Sequence, residues 1–312
     1  MTTALVTHAS GLLHRTPPGV ADQVARLDFV TRALHDLPLK RVDAPLATED
    51  QITPMHDAEY VSKVLGGCPD SGFSFFDADT DAETCLSPTS REAVLRSVGG
   101  ALLAVDLVMS GSAANAFVAM RPPGHHALPD RAMGFCFFGN IALAAHHALT
   151  VHGVNKLAIV DFDVHHGNGT QHMVQDDPRV LFVSSQQVLL WPGSGLADET
   201  GPHDTVLNLP LAPGSTGAEM RIAFANTVFP RVRAFQPDLV LVSAGFDAHR
   251  DDPLAELNWT EEDYNWLAGS FCAIANACCG GRIVSVLEGG YDLDALGKSA
   301  RAYVQALLRA SD

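Results

Sequence analysis

From residue 157 onward, short runs of β-branched and other apolar residues alternate with stretches whose apolar positions recur at helical spacing. The runs at 157–161, 180–184, 239–243 and 283–287 are apolar almost throughout, the pattern of strands covered on both faces. Helical periodicity predicts helices over 21–37, 88–109, 141–152, 216–235, 261–278 and 294–310. Start signals support several of these: Ser87-Pro88 opens the second, and Thr260 followed by Asp263 reads as a capping box before the fifth. Strands alternating with helices predict an α/β fold, a mainly parallel central sheet between two helical layers. No linker rich in Gly, Ser or Pro divides residues 1–312 and no internal repeat is visible, so the chain reads as one domain.

Composition narrows the class. Hydrophobic residues make up 47% of the 312 and charged residues 18%, which excludes a disordered or collagen-like chain. Lys plus Arg number 20 against 36 Asp plus Glu, a formal charge of −16, so direct binding to nucleic acid lacks the positive footprint it needs. The same field mildly attracts a cationic substrate such as a basic peptide or polyamine. Six cysteines without a CxxC pair suggest free thiols in a reducing compartment. The N-terminus lacks a signal core, and no apolar run approaches the roughly 20 residues that span a bilayer. The expectation is a cytoplasmic protein without a membrane segment, of undetermined oligomeric state.

The unusual residues cluster beyond the C-terminal ends of strands, at 121–126, 161–166, 243–247 and 288–291. In open α/β sheets that edge is where ligands bind, so the four segments are expected to share one crevice. Asp163 and His165 stand two apart in extended chain and face the same side, where a carboxylate and an imidazole can hold one ion. Asp247 can supply a third ligand, leaving open positions of the kind found at catalytic Zn(II), although Fe(II) accepts the same set. An isolated D-x-H more often caps a helix; the flanking Asp161, the His166-Gly-Asn-Gly sequence and Asp247 favour the ion site here.

His125 and His126 follow the stiff Arg121-Pro-Pro-Gly124 and project differently, with Asp161 and Asn168 as candidates to orient their rings for acid–base work. In Glu288-Gly289-Gly290-Tyr291 the glycines let substrate and the tyrosine hydroxyl approach closely. Phe135 and Trp191, in glycine-containing loops, either wall an apolar slot or belong to the core. Asp247-Ala-His249 repeats the D-x-H spacing and offers a possible second ion ligand. His146 and His147, on a predicted helix, and His8, His14, His35, His56 and His203 carry no spacing signal and are read as ordinary.

Taken in order, RPPGHHA, GFCFF, DFDVHHGNGTQ, PGSG, SAGFDAHRDDPL and LEGGYD resemble the zinc-dependent histone deacetylase and acetylpolyamine amidohydrolase superfamily, its class II branch and bacterial homologues in particular. The resemblance runs from about His14 to the C-terminus and implies the arginase-like α/β/α fold with about eight strands. It implies metal ligands at Asp163, His165 and Asp247, a general base at His126 with His125 as companion, Asn168 as the base's partner, and a carbonyl-polarising Tyr291. It further implies an acyl-lysine tunnel walled by Phe135 and Trp191, and a structural K+ held by Asp161, Asp163, His165, Ser184 and Ser185, partly through backbone oxygens. Asp79, with Asp77 close by, resembles a rim aspartate that binds substrate backbone.

Two departures bear on substrate. Where many relatives carry HPExPxR near the tunnel mouth, this chain has Val20-Ala-Asp-Gln-Val-Ala-Arg26. The glutamate of a polyamine-selective member is replaced by Leu254, which argues against strong selection for a cationic amine. The implied activity is metal-dependent removal of acetyl or related acyl groups from N-acyl-lysine in peptides or proteins. Acetylpolyamine hydrolysis is the nearest alternative, followed by a two-metal ureohydrolase using His249 and by an acyl-lysine binding protein without turnover.

Overall fold

The computed structural model describes residues 2–77 and 81–311. The order of elements is β1 (Thr3–Thr7), α1 (Ala25–Ala33), β2 (Lys40–Asp43), α2 (Glu49–Ile52), α3 (Ala58–Gly66), β3 (Ser74–Asp77), β4 (Asp81–Leu86), α4 (Ser90–Met109) and β5 (Asn115–Ala119). There follow α5 (Asn140–Thr150), β6 (Leu157–Asp161), α6 (Asn168–Val174), β7 (Val180–Gln187), β8 (Val206–Leu211), α7 (Gly217–Ala223), α8 (Phe229–Phe235), β9 (Leu239–Ala244), α9 (Glu261–Cys279), β10 (Ile283–Leu287) and α10 (Leu293–Ser311). Eight strands form one sheet in the order β2-β1-β5-β10-β9-β6-β7-β8, every pair parallel, while β3 and β4 form a separate antiparallel hairpin.

The central strands look uniformly apolar in sequence, yet the pleat divides them between two cores. Ala158, Val160, Val240 and Val242 pack with the side chains of α1, α7, α8, α9 and α10, whereas Leu157, Ile159, Leu239 and Leu241 pack with those of α4, α5 and α6. This is the three-layer α/β/α arrangement expected from the alternation of elements. A smaller apolar cluster joins α2, α3 and the start of α4 to Phe137 and Phe138.

Several boundaries differ from expectation. The predicted helix over 21–37 is regular only across α1, because residues 21–24 turn and Arg41 Nη2 donates to the carbonyls of Leu34 (2.6 Å) and His35 (2.8 Å) at its end. The predicted helix over 216–235 is split by a π-helical turn at Phe224–Val228. Pro230 follows it; a proline there cannot donate to the preceding turn, and its ring pushes the carbonyl four residues back outward, so the helix widens locally. The capping box before α9 is present, with Asp263 Oδ2 accepting from Thr260 N and Oγ1, both at 2.9 Å. All six cysteines are free thiols, and no helix among the described residues is long and apolar enough to cross a membrane.

The loops over the C-terminal edge of the sheet are fastened by a buried ion network. Asp22 accepts from Arg121 Nε at 2.7 Å and Nη2 at 2.8 Å, one on each carboxylate oxygen, and from Arg26 Nη1 at 2.6 Å. All three side chains are fully buried. The arginines reach onward: Arg121 Nη1 to the carbonyls of Gly11 and His14, Arg26 Nε to that of Gly290 and Nη2 to that of Glu288. Burial opposes ionisation of Asp22, but Arg121 and Arg26 outweigh it and hold the carboxyl below the usual carboxylate range. Removing one partner of a buried pair strands the others, so Asp22→Asn should cost about 3–5 kcal/mol, read as a lowered denaturation midpoint. Because the folded pKa lies below the unfolded one, wild-type Asp22 contributes fully above the unfolded carboxylate value of about 3.9 and loses that contribution as pH falls beneath it. The stability gap between wild type and Asp22→Asn should therefore narrow in acid; a gap that is small at neutral pH would show that the network does not bear load.

Candidate active site

Four adjacent strands, β5, β10, β9 and β6, end at the same edge of the sheet. The four segments singled out in the sequence leave those ends and meet there. His165 Nδ1 lies 3.1 Å from Asp163 Oδ1 and 3.2 Å from Asp247 Oδ2, and a donor atom from each of the three residues falls within 4.8 Å of the others. All three are buried. Backbone amides aim the carboxylates: Gly289 N donates to Asp163 Oδ2 and Val164 N to Asp247 Oδ1, both at 2.8 Å. Burial and the charge of Asp163 push Asp247 up to about 7, although His165 works against the shift.

Gly289 packs against both carboxylates, and a Cβ there would collide with Asp247 Oδ2 and Asp163 Oδ2. Its absent side chain therefore serves the carboxylate pair directly. Gly290, at φ 118, occupies backbone space open mainly to glycine and turns the chain toward Tyr291.

The two adjacent histidines receive unlike partners. His125 Nδ1 lies 3.0 Å from Asp161 Oδ2 and His126 Nδ1 lies 2.8 Å from Asn168 Oδ1, with the two rings 3.8 Å apart between centroids. Burial works against the cationic form of each, but at His125 the carboxylates of Asp163 and Asp161 prevail and raise it to about 10. At His126 burial prevails, joined by the charges of His125 and His165, and drives the ring well below its ordinary value. Tyr291 is partly buried, and that burial holds its hydroxyl protonated far above neutral pH. The Arg26 guanidinium lies 4.8 Å from the Tyr291 ring centroid, and Asp252 Oδ2 accepts from Tyr291 N at 2.7 Å.

Both aromatic candidates stand at the site. Phe135 meets Tyr291 edge-on at 5.9 Å, and Trp191, 40% exposed, meets His126 edge-on at 4.7 Å and His165 at 6.2 Å. Leu254 and Tyr291 share a cavity of about 780 Å³ with Val20, Val24, Phe73 and Pro253, so the departing loop forms part of its wall. Asp161 lies in register with Ser184 across β6 and β7, and the hydroxyls of Ser184 and Ser185 are buried without a hydrogen-bond partner. Asp79 lies outside the described residues. His249 belongs to none of the groups of donor atoms close enough to hold a cation among the described residues; its Nδ1 accepts from Asp251 N at 3.1 Å.

Sequence reasoning left three anchors unassigned. Glu288 accepts from Gly124 N at 2.7 Å and His125 N at 3.2 Å through Oε2, and from Ser243 Oγ at 3.1 Å through Oε1, clamping the histidine loop to β9 and β10. Asp252 holds Tyr291, and the Asp22 network holds the loop above. All three stand in stretches the sequence singles out, Asp252 in SAGFDAHRDDPL, Glu288 in LEGGYD and Asp22 in the stretch set against HPExPxR, but nothing local points to the distant groups they hold.

The parallel α/β/α sheet thus gathers a buried Asp–His–Asp group and a histidine pair into one crevice. Residues 21–307 match the histone deacetylase domain, and the chain belongs to that family. It is 38% identical to "Histone deacetylase 10, chloroplastic" of Oryza sativa subsp. japonica, over 93% of this chain and 68% of the relative. It is 36% identical to human "Polyamine deacetylase HDAC10", over 99% of this chain and 48% of the relative. Among solved structures, the HDA15 HD domain superposes with a TM-score of 0.92 at 32% identity, covering 99% of this chain and 88% of that one.

The close approach of Gly289 makes a direct test of the carboxylate cradle. Gly289→Ala must displace Asp163 or Asp247, and changes just behind a ligand set typically weaken ion affinity about 10- to 100-fold. Equilibrium dialysis against Zn(II) should show that loss with the far-ultraviolet spectrum unchanged; equal affinity would mean that the carboxylates do not act together.

Proposed function

We propose that the protein is a metal-dependent deacylase that removes acetyl or related acyl groups from N-acyl-lysine in peptides or proteins. The unequal environment of His125 and His126, beside a carboxylate–imidazole triad, carries this reading. The triad fits a divalent cation: two buried carboxylates and one imidazole bring their donor atoms within 4.8 Å of one another. Asp163, His165 and Asp247 would hold Zn(II), or Fe(II), with open positions for water and substrate. That ion, when bound, supplies Lewis acidity toward the amide carbonyl and the attacking water.

The chain's own groups supply the rest. With Nδ1–H donated to Asn168 Oδ1, His126 presents the lone pair of Nε2, and its depressed pKa keeps that lone pair available as a base. Asp161 stabilises positive charge on His125, and a protonated histidine of the pair returns a proton to the leaving amine. Tyr291, held protonated, donates to the carbonyl oxygen as negative charge develops. Phe135 and Trp191 wall the approach of an extended acyl-lysine chain. Asp161, Asp163, His165, Ser184 and Ser185 would hold a structural K+, a role that suits the unpartnered serine hydroxyls.

A second reading, hydrolysis of small acetylated amines, draws support from the human relative named a polyamine deacetylase. Leu254 at the cavity mouth offers no carboxylate to a distal ammonium, which favours acyl-lysine. Turnover of an acetyl-lysine peptide measured beside N-acetylputrescine and N-acetylspermidine decides between them.

Chelation should abolish amide hydrolysis, and one equivalent of Zn(II) or Fe(II) should restore it; full activity in metal-free protein would sink the mechanism. Tyr291→Phe should keep the fold and the ion while kcat falls about 10²- to 10³-fold. A severalfold change or less would remove Tyr291 from the chemistry. Asn168→Asp places a carboxylate against His126, favours the imidazolium and raises its pKa. Since the base works only when neutral, the acidic limb of the kcat/KM profile should move to higher pH, and a limb that stays or moves lower would refute the pairing.

A further inference from the structure

Asp106 on α4, His147 in the last turn of α5 and His152 just after that helix come together on the surface. Both imidazoles point at one atom: His147 Nε2 lies 2.7 Å and His152 Nε2 2.6 Å from Asp106 Oδ1, with the rings 5.4 Å apart between centroids. Helix α5 starts at the catalytic edge, where Asn140 Nδ2 donates to Pro122 O, and ends near the N-terminal ends of the strands. The cluster therefore sits at the opposite end of the molecule from the crevice and shares no residue with it.

We propose that these three residues form a second binding site for a borderline divalent cation such as Zn(II). Two imidazole nitrogens and one carboxylate oxygen are the donor set such ions prefer, whereas Mg(II) and Ca(II) demand oxygen ligands. The three donor atoms lie within 4.8 Å of one another. Zn–ligand bonds of about 2.0–2.1 Å in tetrahedral array place donors roughly 3.3 Å apart, so an ion enters by opening the hydrogen-bonded contacts through side-chain rotation alone. The main chain need not move, because the apolar residues Ala101, Ala104 and Val105 of α4 and Ala144, Ala145 and Ala148 of α5 fix the helices within one packed core. Side-chain exposures of 13% for His147, 21% for His152 and 44% for Asp106 leave an entry path and room for water as the remaining ligand. The bound ion would join α4 to the turn that leads into β6.

The test counts ions. Wild type, the double variant His147→Gln/His152→Gln and Asp106→Asn are dialysed to equilibrium against Zn(II), and bound metal per chain is measured by elemental analysis. Wild type should hold one equivalent more than either variant, whatever the occupancy of the catalytic crevice, and an excess of Ca(II) should not displace it. The ring nitrogen resonances of His147 and His152 in the wild-type protein give a readout that requires no variant: they should shift with the added equivalent. Equal metal counts in all three proteins, or histidine resonances indifferent to Zn(II), would overturn the proposal. Hydrolysis rates enter neither measurement, so failure here and failure of the deacylase reading are distinguishable.

Discussion

Charge buried at the edge of a parallel sheet must be compensated within the protein, and here one carboxylate, Asp22, does this for two arginines at once. Arg121 begins the loop that carries both histidines, while Arg26 grips the carbonyls of Glu288 and Gly290 in the loop that carries Tyr291. The histidine pair and the Tyr291 hydroxyl are thus referenced to the same anion. Glu288 adds a second tie by accepting from the backbone of Gly124 and His125. Displacement of the anchor would disturb the separation between the histidines and the hydroxyl before it touched any one of them.

Within that frame, chemical difference between neighbours is created by partners rather than by sequence. His125 and His126 share a loop, a burial state and nearly a ring stack, yet a carboxylate faces one and an amide the other. A low-dielectric surrounding enlarges this contrast, since neither site is relieved by solvent. The tyrosine shows the complementary case: burial, joined by the charges of Asp247, Asp163 and Asp22, keeps its hydroxyl protonated against the pull of Arg26.

Much of the architecture was legible because buried parallel strands are written as continuous apolar runs. Residues 157–161 and 283–287 coincide with β6 and β10. Four sheet strands were not picked out. β1 has Thr at both ends and β5 opens on Asn and carries two alanines, which weakens the apolar β-branched run of each; β2 is a mostly exposed edge strand, and β8 contains Asn208 and Pro210, tolerated because it too is an edge. In the crevice, Asp163 and His165 were legible as a D-x-H pair, although β6 ends at Asp161 and the chain bends through 163–165 instead of continuing as strand; Asp247 was named as a third ligand from its place after another apolar run. The anchors were not, since Glu288 meets Gly124 across 164 residues and Asp22 meets Arg121 across 99. His147 looked like any helical surface histidine until Asp106 arrived from another helix 41 residues away.

The loop at 20–26 shows what this anchoring permits. Its outward positions depart from HPExPxR, with Val20, Ala21 and Val24 standing where that pattern has histidine and prolines, yet Asp22 and Arg26 keep an acid and an arginine at the third and seventh places. The acid and the arginine are the positions that face inward, while Val20 and Val24 line the cavity beside Tyr291. Cavity wall and buried anchor are consequently separable units of variation: substitutions can reshape the wall, and with it what the cavity accommodates, while the Asp22 network stays as it is.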